Sequence, residues 1–215
     1  MDIRAYSLLT SPTISRTDTA THRNISIPAL ISAPDRKSFF KFYKSEILDK
    51  DLEPSETFYA LAELEKQEKL QTIISKNSFS LSERAGCKHV YNIYGTIHKN
   101  ICTHCGKEYP VEFVKTSPSV PLCEECGHII RPNVKLFGEM LDHEIIAKIA
   151  DEIAKADVLL LLGTSLESYT YKNYIKYFRG NSIVVIHQNP HYSDVRTNLV
   201  FLDTPKNILP KILER

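Results

Sequence analysis

Cys102-Thr103-His104-Cys105, seventeen further residues, then Cys123-Glu124-Glu125-Cys126: the rest of the chain is read outward from this stretch. Each pair is a C-x-x-C knuckle, and Gly106 and Gly127 each follow the second cysteine of a knuckle. Four thiolates supply the soft ligands that a tetrahedral structural zinc site needs. Glycine at those two places lets the backbone fold back so that amides can face the sulfurs. Two disulfides, or four unrelated thiols, are the alternative, and the paired spacing argues for zinc. No open ligand position is evident, so the metal is expected to be structural rather than catalytic. His98 and His104, which flank the knuckles, are expected to be solvated rather than ligands.

A fifth cysteine, Cys87, is left over. It is expected to be a small buried residue. The chain begins Met1-Asp2-Ile3-Arg4-Ala5, with no basic segment leading into an apolar stretch. A lone thiol without an export signal suits a reducing cytoplasm.

The 215 residues suffice for a sizeable core, as one large domain or one domain with a small insertion. Basic and acidic residues nearly cancel, 27 against 26, so no net field favours nucleic acid or an anionic membrane. The longest apolar run, near Val158–Leu162, is too short to span a bilayer.

Hydrophobic periodicity sets the elements. Residues 3–10 predict a short strand. Residues 11–33, rich in Ser, Thr, Asn and Pro, predict an irregular segment. Asp35–Leu48 predicts a helix with Phe39, Tyr43 and Ile47 on one face, and Glu56–Lys69 a second, with Phe58, Leu61 and Leu64 inward. Leu70–Ile74 and Val90–Tyr94 predict strands, with a loop and short helix over Asn77–Arg84. Ile101 and Tyr109–Phe113 would supply ribbon strands. Asp142 can N-cap a helix over Glu144–Ala156. Val158–Leu162, Ser182–Ile186 and Leu199–Leu202 read as strands, with a helix over Tyr169–Arg179. Thr204 and Pro205 open the last helix. Continuous apolar strands alternating with helices predict an α/β fold, a parallel sheet covered on both faces.

From Leu52 onward the chain resembles the sirtuins, the NAD-dependent protein lysine deacylases. The residues that carry the resemblance are Ser75-Lys76-Asn77, Glu83-Arg84-Ala85-Gly86, Tyr94-Gly95 directly before the knuckles, and Arg131-Pro132-x-Val134-x-x-Phe137-Gly138-Glu139. Gly163-Thr164-Ser165-Leu166 and Leu209-Pro210 complete the order. The resemblance implies a Rossmann-like large domain (residues 1–95 and 139–215, with a helical insertion at about 35–66) and a zinc-ribbon small domain (96–138). It places NAD at the large domain's edge, with Ser15, Asn77, Gly163, Thr164, Ser165 and His187 at cofactor positions. It places Asn77 and Tyr94 at the catalytic Asn and His positions. An acyl-lysine peptide would add as a strand between Val134, Phe137, Gly138, Glu139 and the loop after Leu166.

Several positions depart from the family pattern. Ser11-Pro12-Thr13-Ile14-Ser15 stands where the family has Gly-Ala-Gly-Ile-Ser, which adds Cβ atoms and a proline ring where pyrophosphate touches backbone. Arg23-Asn24 stands near the family's Phe-Arg pair. Lys76, Phe79 and Ser82 replace Gln, Asp and His, and His187 replaces the Asn facing the adenosine ribose. Tyr94 replaces the general-base His, and a tyrosine hydroxyl is ordinarily protonated at neutral pH. The expectation is therefore a degenerate NAD pocket with little deacylase activity, acting by binding an acylated peptide, a protein or an altered ligand. The alternative is a divergent but active NAD-dependent deacylase or ADP-ribosyltransferase.

Overall fold

The computed structural model describes residues 36–50, 52–136 and 139–213, and the backbone course of 5–9. Ser15 and the rest of the expected phosphate loop, Arg23-Asn24, Phe137 and Gly138 lie outside the described residues.

Six strands form one all-parallel sheet in the order β3-β2-β1-β7-β8-β9. They are β1 (Ala5–Leu9), β2 (Leu70–Ser75), β3 (Val90–Asn92), β7 (Val158–Leu162), β8 (Ser182–His187) and β9 (Leu199–Leu202). β7 is inserted next to β1, so the chain leaves β1 toward β2 on one side and returns to β7 on the other. Such a reversal splays the loops apart at the strands' carboxyl ends and opens a crevice there. β7 reads Val-Leu-Leu-Leu-Leu because both its faces are covered: Leu159 and Leu161 sit in one core, Leu160 and Leu162 in the other.

α5 (His143–Lys155) covers the first face through Ile149 and Ile153, both fully buried. Asp142 caps it as expected, its Oδ1 accepting from the Glu144 amide at 2.8 Å. α2 (Glu56–Lys66), the short α3 (Leu81–Arg84) and α7 (Pro205–Leu213) cover the second face, packing Phe58, Leu61, Leu81 and Leu209 against Ile73, Leu162 and Ile186.

β4 (Gly95–Cys102), β5 (Glu108–Pro110) and β6 (Ile130–Val134) form a separate antiparallel sheet in the order β5-β4-β6. This is the zinc ribbon. Its core includes Ile97, Tyr109, Val114 and Ile130. Phe39, Phe40, Tyr43 and Leu48 join that core from α1 (Arg36–Phe42) and the π-helical turn that continues it (Tyr43–Leu48). The aromatic stripe of α1 thus packs on the ribbon.

Four local expectations are corrected. Tyr109–Phe113 is not one strand: β5 ends at Pro110, and Val111–Thr116 forms α4. Pro110 begins the change, since it precedes the first turn, where a donor is not needed. β3 stops at Asn92, and Gly95 starts β4. The helix expected over Tyr169–Arg179 shrinks to α6 (Lys172–Ile175). At α7 Thr204 stands directly before Pro205, at the N-cap position, but its Oγ1 makes no capping bond among the described residues; Asp203 Oδ1 instead accepts from the Thr204 amide and from Asn207 Nδ2 at 2.6 and 2.8 Å.

Candidate functional site

The two knuckles bring all four sulfurs of Cys102, Cys105, Cys123 and Cys126 within 4.8 Å of one another. Cys102 Sγ and Cys126 Sγ are 3.4 Å apart, and Cys105 Sγ and Cys123 Sγ 3.6 Å. A disulfide needs about 2.05 Å, so these are free thiols. A tetrahedron with Zn–S bonds of about 2.3 Å has edges near ~3.8 Å, which the four sulfurs match. Gly106 and Gly127 adopt φ of 74° and 71°, as the knuckles require. Their amides, however, donate to the carbonyls of Cys102 and Cys123 rather than to sulfur. The Tyr109 hydroxyl donates to Cys123 Sγ at 3.1 Å and brings that thiol down to about 6. His98 is engaged elsewhere, its Nε2 3.1 Å from the Phe79 carbonyl. His104 is exposed and stacks on His128, ring centroids 4.1 Å apart.

Cys87 is buried, as expected, and burial pushes its thiol up to about 12.

The crevice at the strands' carboxyl ends holds about 790 Å³. Gly163, Thr164 and Ser165 line it from the end of β7, and His187 from the end of β8. Thr204 lines it too, and its buried Oγ1 has no hydrogen-bond partner among the described residues. His187 Nε2 lies 3.0 Å from Asp194 Oδ2, and the same oxygen accepts from the His191 amide at 2.8 Å. These four expected cofactor positions are therefore brought together.

A second group forms at the end of β2. The Asn77 amide nitrogen donates to Ser75 Oγ at 2.9 Å, and Asn77 Oδ1 accepts from the Phe79 amide at 2.6 Å. Asn77 is 2% exposed, yet its Nδ2 has no partner among the described residues; Ser82 Oγ, equally buried, has none either. A buried donor left unsatisfied is costly, and a bound ligand or water relieves it. Ser80 adopts a left-handed φ of 51° and bonds Thr96 at 2.8 Å, tying this turn to the ribbon. The Phe79 ring packs against both the sheet core and the ribbon core, in the seam between them. Tyr94 places its hydroxyl 3.1 Å from Thr170 Oγ1. Lys76 lies over the Tyr171 ring, 6.0 Å from its centroid.

The expected peptide wall is only partly described. Val134 ends β6, and the Lys135 amide donates to the Tyr94 carbonyl at 2.8 Å, prolonging the β4–β6 pairing. Glu139 grips Arg131 through two contacts of 2.9 Å, and its Oε2 accepts from the Leu136 amide at 3.0 Å. The Glu139 amide donates to the Leu136 carbonyl. Both polar ends of Glu139 are thus used inside the turn. On the facing loop Tyr169 is 89% exposed while Thr170 is buried.

Residues 16–170 match the Sir2 family, which is well over half of the chain. The chain belongs to the Sir2 family. This sirtuin is 37% identical over 178 residues to an NAD-dependent protein deacetylase of Clostridium acetobutylicum, covering 82% of this chain and 73% of that protein. It superposes on a solved Sir2 bound to acetylated peptide with a TM-score of 0.80 at 26% identity, covering 98% and 92% of the two chains. A histidine-to-tyrosine mutant of Sir2 with p53 peptide and NAD superposes with a TM-score of 0.79, again at 26% identity and the same coverage.

Sirtuins use NAD and structural zinc, and the cysteine cluster fits the zinc. The expected doubt about NAD finds no support: among the described residues a crevice remains, and partnerless polar atoms sit at its wall and at the end of β2. No helix among the described residues is long and apolar enough to cross a membrane.

Proposed function

We propose that this sirtuin binds NAD and an acyl-lysine peptide and is a divergent NAD-dependent protein lysine deacylase. Asn77 carries the reading. It is the one retained polar residue of the family's Gln-Asn-Asp set; it is buried, and its Nδ2 points at no protein acceptor among the described residues. Two hydrogen bonds hold the residue rigidly, so the free donor is pre-oriented for a ligand carbonyl or hydroxyl. The 37% identical relative is named an NAD-dependent protein deacetylase, which supports the same chemistry. The Sir2 mutant with tyrosine for histidine is described with both p53 peptide and NAD, so such an exchange is compatible with both ligands in that protein.

In this reading Ser15, Gly163, Thr164, Ser165 and His187 hold the dinucleotide, and Asn77 and Tyr94 face the reacting ribose. Val134, Phe137, Gly138 and Glu139 frame the peptide. NAD, when bound, supplies the ribose that takes the acyl oxygen as nicotinamide leaves. Tyr94 donates a hydrogen bond there and is a weak base, so turnover is slow. Free thiols at Cys87 and the knuckles suit a reducing compartment such as the cytoplasm.

Binding without turnover is the second reading. The Tyr94–Thr170 bond and the placement of Phe79 in the seam favour it, because neither leaves a proton acceptor at the position of the family's His or Asp. One experiment separates the two. The protein is incubated with NAD and an acetyl-lysine peptide; nicotinamide and peptide mass are followed, alongside thermal shifts with each ligand. Nicotinamide release matched by deacetylated peptide establishes the first reading. Shifts without release establish the second. No shift with millimolar NAD defeats the dinucleotide assignment in both.

A further inference from the structure

A second group of metal-capable side chains sits beside the four-cysteine cluster and shares one residue, Cys126, with it. His104 follows the first knuckle's Thr103, His128 follows Gly127, and the folding of one knuckle onto the other stacks their rings at 4.1 Å and 13°. Donor atoms of His104, Cys126 and His128 all lie within 4.8 Å of one another. Both imidazoles are exposed, so an ion can reach them from solvent.

The hydrogen bonding of His128 favours ligation. His128 Nδ1 lies 3.0 Å from the Cys126 carbonyl. A carbonyl only accepts, so Nδ1 carries the hydrogen and the neutral ring keeps its lone pair on Nε2. A backbone carbonyl holding one ring nitrogen while the other faces outward is the arrangement that presets a histidine for a metal. The charge balance points the same way. Four thiolates around one Zn2+ leave two negative charges in excess. Cys126 is the half-buried corner of that cluster, between the two buried cysteines and the exposed Cys105.

We propose that His104, His128 and the shared Cys126 thiolate form a second, surface site for a borderline divalent ion such as Zn2+. Two nitrogens and one sulfur leave a solvent position open, and the shared thiolate donates less charge than an unshared one. The site therefore binds more weakly than the cysteine cluster and fills after it.

The test is metal stoichiometry on the zinc-loaded full chain. It is equilibrated at rising free Zn2+ and counted by elemental analysis, beside the double variant His104→Ala/His128→Ala. Both replaced side chains are exposed, and circular dichroism confirms that the variant keeps its fold and its first ion. The expected result is a second ion per chain in the wild type at micromolar free Zn2+ and none in the variant. A wild type that stops at one ion overturns the site. A second ion retained by the variant also overturns it, because the ion is then held elsewhere. As an independent readout, Co2+ added to the zinc-loaded protein should give a thiolate charge-transfer band that the double variant lacks.

Discussion

The Tyr94 hydroxyl and Thr170 Oγ1 lie 3.1 Å apart, joining the residue that leads into the ribbon to the loop that follows β7. In the proposed reading this bond lies where the ribose chemistry would occur. It uses the tyrosine as a strut rather than as a base. Tyr94→His should therefore raise nicotinamide release by about tenfold or more, the lower part of the range general-base catalysis supplies. Single-turnover assays with acetyl-lysine peptide measure this. An unchanged rate would show that proton removal does not limit the reaction.

Zinc removal should act first on the ribbon and on α1 together. Phe39, Phe40 and Tyr43 share a core with Cys102 and Cys123. Hydrogen exchange after chelation should lose protection over 36–48 and 95–134 while β7 and β8 stay protected. Loss of protection in the ribbon alone would contradict the shared core.

Tyr109→Phe should make metal binding more sensitive to acid. The Tyr109 hydroxyl brings the Cys123 thiol down to about 6, so at this corner of the cluster protons compete with metal only below that pH. Without the hydroxyl the thiol rises, and half-release of zinc moves to higher pH. A colorimetric chelator read across pH 5 to pH 8 (roughly the span between the shifted and ordinary thiol values) follows the change. Identical release curves would show that the Tyr109 hydroxyl does not influence metal binding.

The Arg131–Glu139 pair predicts an acid-dependent loss. Its hydrogen bonds to Arg131 hold the Glu139 carboxyl below its ordinary value. A group with a lowered folded pKa stabilises the fold above its unfolded value and loses that contribution as pH falls through the folded one. Glu139→Gln should cost about 1 kcal/mol at neutral pH and progressively less below about pH 4. Urea unfolding at both pH values gives the comparison; a constant difference would mean that ionisation plays no part.

Two glycines with nearly equal φ should respond differently to alanine. At Gly95, φ is +76° and a Cβ would sit 2.1 Å from the Asn133 carbonyl oxygen. At Gly106, φ is +74° and nothing lies within 4 Å. Gly106→Ala should cost about 1 kcal/mol of left-handed strain, and Gly95→Ala roughly twice that or more, because the β4–β6 contact must also move. Equal melting temperatures would show that the sheet yields freely at Gly95.

Much of this was legible in the residue order because it is local. The C-x-x-C spacing presented four ligands, the unbroken apolar run of β7 announced a strand buried on both faces, and Asp142 marked the start of α5. β6 was not legible. Pro132 interrupts it, and proline is tolerated because β6 is an edge strand and Pro132 lies opposite Asn100, where the register shifts. Tyr109–Phe113 misled for a related reason: a short apolar run has no period long enough to tell a strand from a turn of helix.

Spacing and periodicity by themselves pointed to the parallel sheet and the four-cysteine ligand set, since each is read from residues a few positions apart, while the motifs between Ser75 and Pro210 carried the family resemblance. Only the tertiary structure decided that α1 belongs with the ribbon core, that Phe79 fills the seam, that Asn77 keeps a donor with no protein partner, and that His104 meets His128. Those relationships join parts of the chain far apart in sequence, or depend on which partners packing leaves within reach. They come into being when burial of apolar surface brings the elements together.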